Sequence, residues 1–185
     1  DLGTCEKNIS SLVDKLKSLI EDHIFAYDDI LLEEAVGESL RKHQKTISTA
    51  ESCTGGYIAH LLTSISGSST YFKGSIIAYA NEIKESTLNV TSTSLQQDGA
   101  VSESVVKQMA LGACHKFRTD YAIATSGIAG PDGGTEEKPI GTTWIAIAGP
   151  KGVEAKEFHF GEHRGRNIRR AALSALFWLK KIVEN

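Results

Sequence analysis

No stretch of this 185-residue sequence stays apolar long enough to cross a bilayer. The longest runs, at 76–80 and 144–148, fall far short of the ~20 residues a spanning helix needs. A membrane is therefore not an expected partner. The start, Asp1-Leu2-Gly3-Thr4-Cys5-Glu6-Lys7, lacks both an initiator methionine and the basic-then-apolar order of a signal peptide. The chain is accordingly expected to be a piece of something longer. Cysteines are few: Cys5, Cys53 and Cys114 make an odd number at wide spacings, with no Cys-x-x-Cys pair and no zinc-like ladder. That fits a reducing compartment, so the expected location is cytoplasmic and no metal site is foreseen. Charge of one sign is scarce as well. Twenty basic and 23 acidic residues leave a formal charge of -3, too little to draw in nucleic acid. Any anionic ligand must be held locally.

What remains is ordinary globular composition, 41% apolar and 23% charged, enough for one domain with a core and a small appendage. No repeat or low-complexity tract interrupts it. Ile9, Leu12, Val13, Leu16, Leu19 and Ile20 recur at steps of three and four and predict an amphipathic helix. After a short extended piece at 24–27, Asp28 and Asp29 are plausible caps for a second helix striped by Leu31, Leu32, Ala35, Val36 and Leu40. Strand-like segments follow at 46–51, 75–79 and 121–125, separated by helical spacing over 55–64 and over 102–113. Two more strands, 142–148 and 153–160, flank the turn Gly149-Pro150-Lys151-Gly152. A last helix spans about 166–183. Parallel strands need helical crossovers and the late hairpin adds an antiparallel pair, so the fold class is α/β: a three-layer α/β/α sandwich with a mixed sheet. Residues 1–28 read as the end of a preceding linker domain, and 29–185 as the domain itself.

Standard nucleophile motifs are missing. Gly-x-Ser-x-Gly would need glycine where Ala50 and Thr54 stand, Ser-x-x-Lys fails at Gly55, and there is no Walker lysine. His23, His43, His60, His115, His159 and His163 are scattered and read as surface or structural. Four elements could still carry chemistry. Glu51-Ser52-Cys53-Thr54-Gly55-Gly56 sits where a strand ends and a helix begins. Unpaired amides at a helix start can hold a phosphate or an oxyanion. Equally, Ser52 or Thr54 could simply cap that helix while the glycines ease the turn. A second glycine-rich stretch, Ser126-Gly127-Ile128-Ala129-Gly130-Pro131-Asp132-Gly133-Gly134-Thr135, follows the strand at 121–125. It is either the other wall of a pocket at the strand ends or a long surface turn. Tyr79-Ala80-Asn81-Glu82-Ile83-Lys84 is either functional or an edge aromatic with a solvated lysine. Arg164, Arg166, Arg169 and Arg170 open the last helix against its dipole, which hints at an anion nearby, solvated arginines being the alternative.

Taken together, these motifs resemble the C-terminal domain of the competence-associated CinA family, whose activity is deamidation of nicotinamide mononucleotide. The resemblance runs from about residue 31 to 182 and rests on the ordered segments 49–56, 74–84, 99–102, 127–135 and 138–141, and on Gly161 with Arg164. It implies that Ser52 is a nucleophile activated by Tyr79 and Lys84. It further implies that Cys53, Thr54, Gly55, Gly56, Ser126, Gly127, Gly130, Gly133, Gly134, Thr135 and Arg164 bind a small pyridine nucleotide, without metal or organic cofactor. Near 161–166 several arginines compete for the phosphate-binding role assigned to Arg164. The chemistry is reasonable on its own terms. A carboxamide is a poor electrophile, so the hydroxyl must be deprotonated, the oxyanion stabilised and the departing ammonia protonated. A lysine desolvated until its pKa falls toward neutrality can do the first and the last. Amides around Cys53 to Gly55 are the candidate oxyanion hole. The alternative, from another class, is a non-catalytic nucleotide-binding module. A homo-oligomer is compatible with either.

Overall fold

The computed structural model describes residues 2–185. Helix α1 (Leu2–Ile20) starts earlier than the apolar spacing indicated. Its stripe Ile9, Leu12, Leu16, Leu19 and Ile20 is exposed. A 3-10 turn (Glu21–His23) leads to α2 (Leu32–Lys42), whose N-cap is Leu31 with no side-chain bond, so neither Asp28 nor Asp29 caps it. Then come β1 (Ile47–Glu51), α3 (Tyr57–Thr63), β2 (Phe72–Ile77), α4 (Asn81–Leu88), α5 (Ser92–Gln97), α6 (Glu103–Phe117), β3 (Tyr121–Gly127), β4 (Thr142–Gly149), β5 (Gly152–His159) and α7 (Arg164–Glu184). Helices α4 and α5 lie where the sequence reading placed no element. Both are short, and polar residues dominate them, so no apolar period announces them. Strand β2 begins and ends earlier than 75–79, which leaves Tyr79 beyond its carboxyl end.

The five strands form one sheet in the order β2-β1-β3-β4-β5. Strand β1 is parallel to both β2 and β3, whereas β3, β4 and β5 run antiparallel in turn. Strands point alternate side chains to opposite faces, and here the alternation is one of size. On β3 and β4, Ile123, Ile145 and Ile147 face the layer of α2, α3 and α7, where they pack with Val36, Leu40, Ile58 and Leu176. Ala122, Ala124, Ala146 and Ala148 face α6, packing with Val105, Val106, Met109 and Ala110. Large residues fill the wide layer, and alanines let α6 approach the sheet. The result is the expected three-layer mixed α/β/α architecture.

This topology fixes where a ligand can sit. The chain leaves β1 for α3 on one face, whereas it leaves β2 through α4, α5 and α6 and crosses to β3 on the far side of β1. The carboxyl ends of the parallel strands therefore open at a switch point, where α/β sheets form a crevice.

Candidate active site

Strand β1 delivers Ser52 and Cys53 to that crevice. Ser52 donates its amide to the Thr125 carbonyl of β3 at 3.0 Å. The turn that follows uses Gly55 and Gly56 at φ of 60° and 95°, a left-handed region costly for other residues. Neither Ser52 nor Thr54 caps α3. The cap is the buried carboxylate of Glu51, which accepts from the amides of Gly56, Ile58 and Ala59 at 3.0, 3.1 and 2.8 Å. Two expectations change as a result. The N-terminus of α3 already holds an anion of the protein's own, so it is not a phosphate cradle. The Gly55 amide donates to the Ser52 carbonyl at 3.1 Å, so it is not an oxyanion donor. The amides of Cys53 and Thr54 make no backbone bond among the described residues.

Ser52, Cys53, Tyr79, Lys84, Ser126, Gly127 and Arg164 line one cavity of about 230 Å³. Asn81, Ala100, Val101 and Ala129, which the sequence reading did not assign, complete it. Asn81 sits inside the singled-out 79–84 stretch, and Ala100 and Val101 inside 99–102, so position could have flagged them even though their chemistry did not. The remaining expected binders are not brought to the cavity wall. Thr54 is buried behind it, with its hydroxyl 2.7 Å from both Glu51 Oε2 and Thr125 Oγ1. Gly55 and Gly56 shape the turn. Gly130 contributes its carbonyl to Arg164. Gly133, Gly134 and Thr135 lie on the exposed arm of the 128–141 loop, which closes on itself where the Thr135 amide meets the Lys138 carbonyl at 2.9 Å. A glycine-rich stretch can thus shape a loop without touching a ligand.

Lys84 is the most unusual group in the cavity. Its residue is only 1% exposed, on a helix, α4, that packs against α6. Its ammonium donates to the Tyr79 carbonyl at 3.2 Å. Burial holds its pKa below the ordinary lysine value, while the Glu82 carboxylate pulls the other way. Next to it, burial pushes the Cys53 thiol up to about 12, opposed by a hydrogen bond from Thr125. Cys53 is thus a neutral wall of the cavity.

Tyr79 reaches the site differently from the expected role. Its carbonyl holds Lys84, whereas its phenol, on a residue 61% exposed, accepts from Arg164 Nη2 at 3.2 Å. Arg164 Nη1 also donates to the Gly130 carbonyl at 2.9 Å. Arg164 therefore ties the start of α7 to the 128–141 loop and to the cavity mouth. Arg170 donates to the Phe160 carbonyl at 2.8 Å. Protein carbonyls and a phenol thus receive Arg164 and Arg170, two of the four arginines for which the sequence had suggested an anion. His163 proves structural, its ring accepting from the Arg166 amide at 3.4 Å as the cap of α7. Ser126 spends its hydroxyl on the Ala100 carbonyl at 2.7 Å, pinning the loop before α6 over the end of β3.

The cavity wall carries two cationic side chains, Lys84 and Arg164, and no carboxylate. Among the described residues no group of His, Cys, Asp or Glu gathers as a metal site would require, and no helix is long and apolar enough to cross a membrane.

A family model described as the CinA C-terminal domain matches residues 29–183. A CinA-like protein of Cytophaga hutchinsonii is 47% identical over 176 residues, which cover 95% of this chain and 42% of that protein. A CinA-like protein of Flavobacterium psychrophilum is 44% identical, covering 100% of this chain and 45% of its own length. The chain thus spans less than half the length of these relatives. Among solved structures, the competence/damage inducible protein CihA of Agrobacterium tumefaciens is similar at a TM-score of 0.80 and 36% identity, covering 83% of this chain and 94% of that one. A CinA superfamily protein of Klebsiella pneumoniae matches at a TM-score of 0.80 and 30% identity, covering 83% and 96%.

Proposed function

The chain belongs to the CinA family through its C-terminal domain, and from that premise we propose that it hydrolyses the carboxamide of nicotinamide mononucleotide to nicotinate mononucleotide and ammonia. The observation that carries this reading is a buried lysine of lowered pKa opening on the same acid-free cavity as Ser52. A binding module has no need to bury an amine beside a hydroxyl. An amidase does, because only the neutral amine can take a proton.

In this mechanism the neutral Lys84 amine removes the Ser52 hydroxyl proton as the oxygen attacks the carboxamide carbon. The Cys53 and Thr54 amides are the candidates to stabilise the oxyanion. The Lys84 ammonium then returns its proton to the nitrogen that leaves as ammonia. Water, deprotonated by the same amine, releases the acid from Ser52. Tyr79 serves through its carbonyl, which orients Lys84, and through its phenol, which holds Arg164 at the mouth.

Size supports a divided ligand. Pockets that enclose whole small molecules are usually about 300–1,000 Å³, and this one is about 230 Å³. It suits the ring and its carboxamide, with sugar and phosphate at the open mouth beside Arg164. The test is ammonia release by the purified chain from nicotinamide mononucleotide, nicotinamide riboside and nicotinamide. The mononucleotide should be turned over and nicotinamide itself should be poor. Comparable turnover of both would remove the phosphate from the argument. Tight binding without ammonia release would leave a nucleotide-binding module.

A further inference from the structure

Glu51 precedes Ser52 directly and is completely buried. Its Oε2 accepts from the Thr54 hydroxyl at 2.7 Å and the amides of Gly56 and Ile58 at 3.0 and 3.1 Å. Its Oε1 accepts from the Ala59 amide at 2.8 Å and lies 3.3 Å from the Thr49 hydroxyl. Four donors thus converge on one carboxylate, the Thr49 hydroxyl giving its proton to Ser75 Oγ at 2.7 Å instead, and among the described residues no cationic side chain pairs with it. A buried carboxylate without a counter-ion is costly unless hydrogen bonds replace its water. Here they do, and all come from the segment that surrounds Ser52.

The bonds run on from Glu51 to the cavity wall. Thr54 Oγ1, held by Glu51, lies 2.7 Å from Thr125 Oγ1. Thr125 in turn accepts the Ser52 amide through its carbonyl at 3.0 Å. The turn at 52–54 is therefore clamped on one side by α3, through Glu51, and on the other by β3, through Thr125. An ordinary Ser or Asp cap satisfies one or two amides at a helix start. Glu51 reaches amides five to eight residues ahead and so spans the whole turn.

We infer that Glu51 is a positioning residue: a built-in anion that holds the Ser52-Cys53-Thr54 turn in the register that presents Ser52 to the cavity. Its effect on turnover rests on the amidase reading above, whereas its effect on the turn does not. Glu51→Gln keeps the shape but replaces one acceptor oxygen by an NH2 group, which must face at least one N–H or O–H donor. The turn loses its fixed geometry, and small displacements of a reacting group are expensive.

The experiment compares Glu51→Gln and Glu51→Ala with the wild type, each first shown to melt cooperatively. For Glu51→Gln the expectation is a kcat lowered by a factor on the order of 10–100, with KM and nucleotide affinity moved less than threefold. For Glu51→Ala, refolded with sodium formate, the small carboxylate should enter the four-donor hole and restore at least tenfold in kcat, while sodium chloride at equal ionic strength should not. Formate rescue of kcat with KM unmoved is a response that a general loss of stability would not give. Alkylation of Cys53 by iodoacetamide, followed by peptide mass, is the readout independent of activity. It should be slow in the wild type, at least tenfold faster in Glu51→Ala, and slow again with formate. A Glu51→Gln kcat within twofold of wild type would overturn the inference, as would formate and chloride acting alike. If the wild type releases no ammonia, the amidase reading fails and Cys53 alkylation decides: equal rates in all variants would then overturn the positioning role too. If Glu51→Ala does not fold, the split between kcat and KM in Glu51→Gln decides.

Discussion

Replacing Lys84 by methionine separates what this residue does for chemistry from what it does for stability. Methionine nearly fills the lysine volume, so no large cavity opens in a site that is 1% exposed. The loss is the bond to the Tyr79 carbonyl, 3.2 Å long, worth about 1–3 kcal/mol for a charged donor. The gain is relief from burying an ammonium with one protein partner, a penalty of several kcal/mol per ion. The balance favours methionine by about 1–3 kcal/mol at neutral pH, or a melting temperature higher by roughly 2–12 °C for a domain of this size. The advantage must depend on pH. The folded-state pKa of Lys84 lies below its unfolded value of 10.5, so between the two the unfolded chain binds more protons, and wild-type stability rises with pH. The methionine variant lacks that slope. Its advantage should be full below the lowered pKa and should shrink to nothing as pH approaches the unfolded value. Turnover should meanwhile fall by about 10²–10⁴-fold, the usual contribution of a general acid or base. Urea melts of both proteins at pH 7 and 10, with ammonia release alongside, provide the check. A variant less stable than wild type by the same amount at both pH values would refute the reasoning, since Lys84 would then be a structural asset. So would one that keeps a tenth or more of wild-type kcat.

Ser52→Ala, Lys84→Ala and the double variant should each lose on the order of 10³ in kcat without multiplying, because all disable one step; calorimetry should show nucleotide binding largely intact, and fully multiplicative losses would separate the two roles. For the wild type, kcat/KM should rise with pH through the lowered pKa of Lys84, since only the neutral amine is a base; a flat profile from pH 6 to 10 would remove Lys84 as the base. Exhaustive chelation should leave ammonia release unchanged, and loss of activity restored by one added metal would reveal a site the side-chain grouping does not show. Gly112→Ala should destabilise by about 1–3 kcal/mol despite alanine's better helix propensity, because a Cβ there overlaps the Leu88 carbonyl, a backbone group that cannot step aside; a variant melting at or above the wild-type temperature would contradict this.

Where local pattern alone decides, the sequence sufficed for the layers and their order. Apolar runs at 121–125 and 144–148 could only be buried strands, and the turn at 149–152 could only pair its flanks, so a mixed three-layer α/β fold followed. The segments containing Ser52, Tyr79 and Lys84 could be singled out because each follows a strand, but local pattern left their roles open, and it was the resemblance to the CinA family that marked them as one site. Which atoms of those segments face the cavity was not legible, because hydrogen bonds between residues far apart in the chain decide it. Glu51 looked like one more polar residue in a helix-start run, and only folding around it made its carboxylate the cap that Ser52 and Thr54 had been expected to supply. Gly133, Gly134 and Thr135 looked like a ligand cradle, yet their loop closes on Lys138 instead. Arg164 gave no local sign of which partner it takes, since Gly130 and Tyr79, 34 and 85 residues away, supply them. Even the burial of Lys84 belongs to the tertiary structure. A short helix with little apolar period carries it, and the cost of desolvating its amine arises only when that helix packs against α6 in the folded domain.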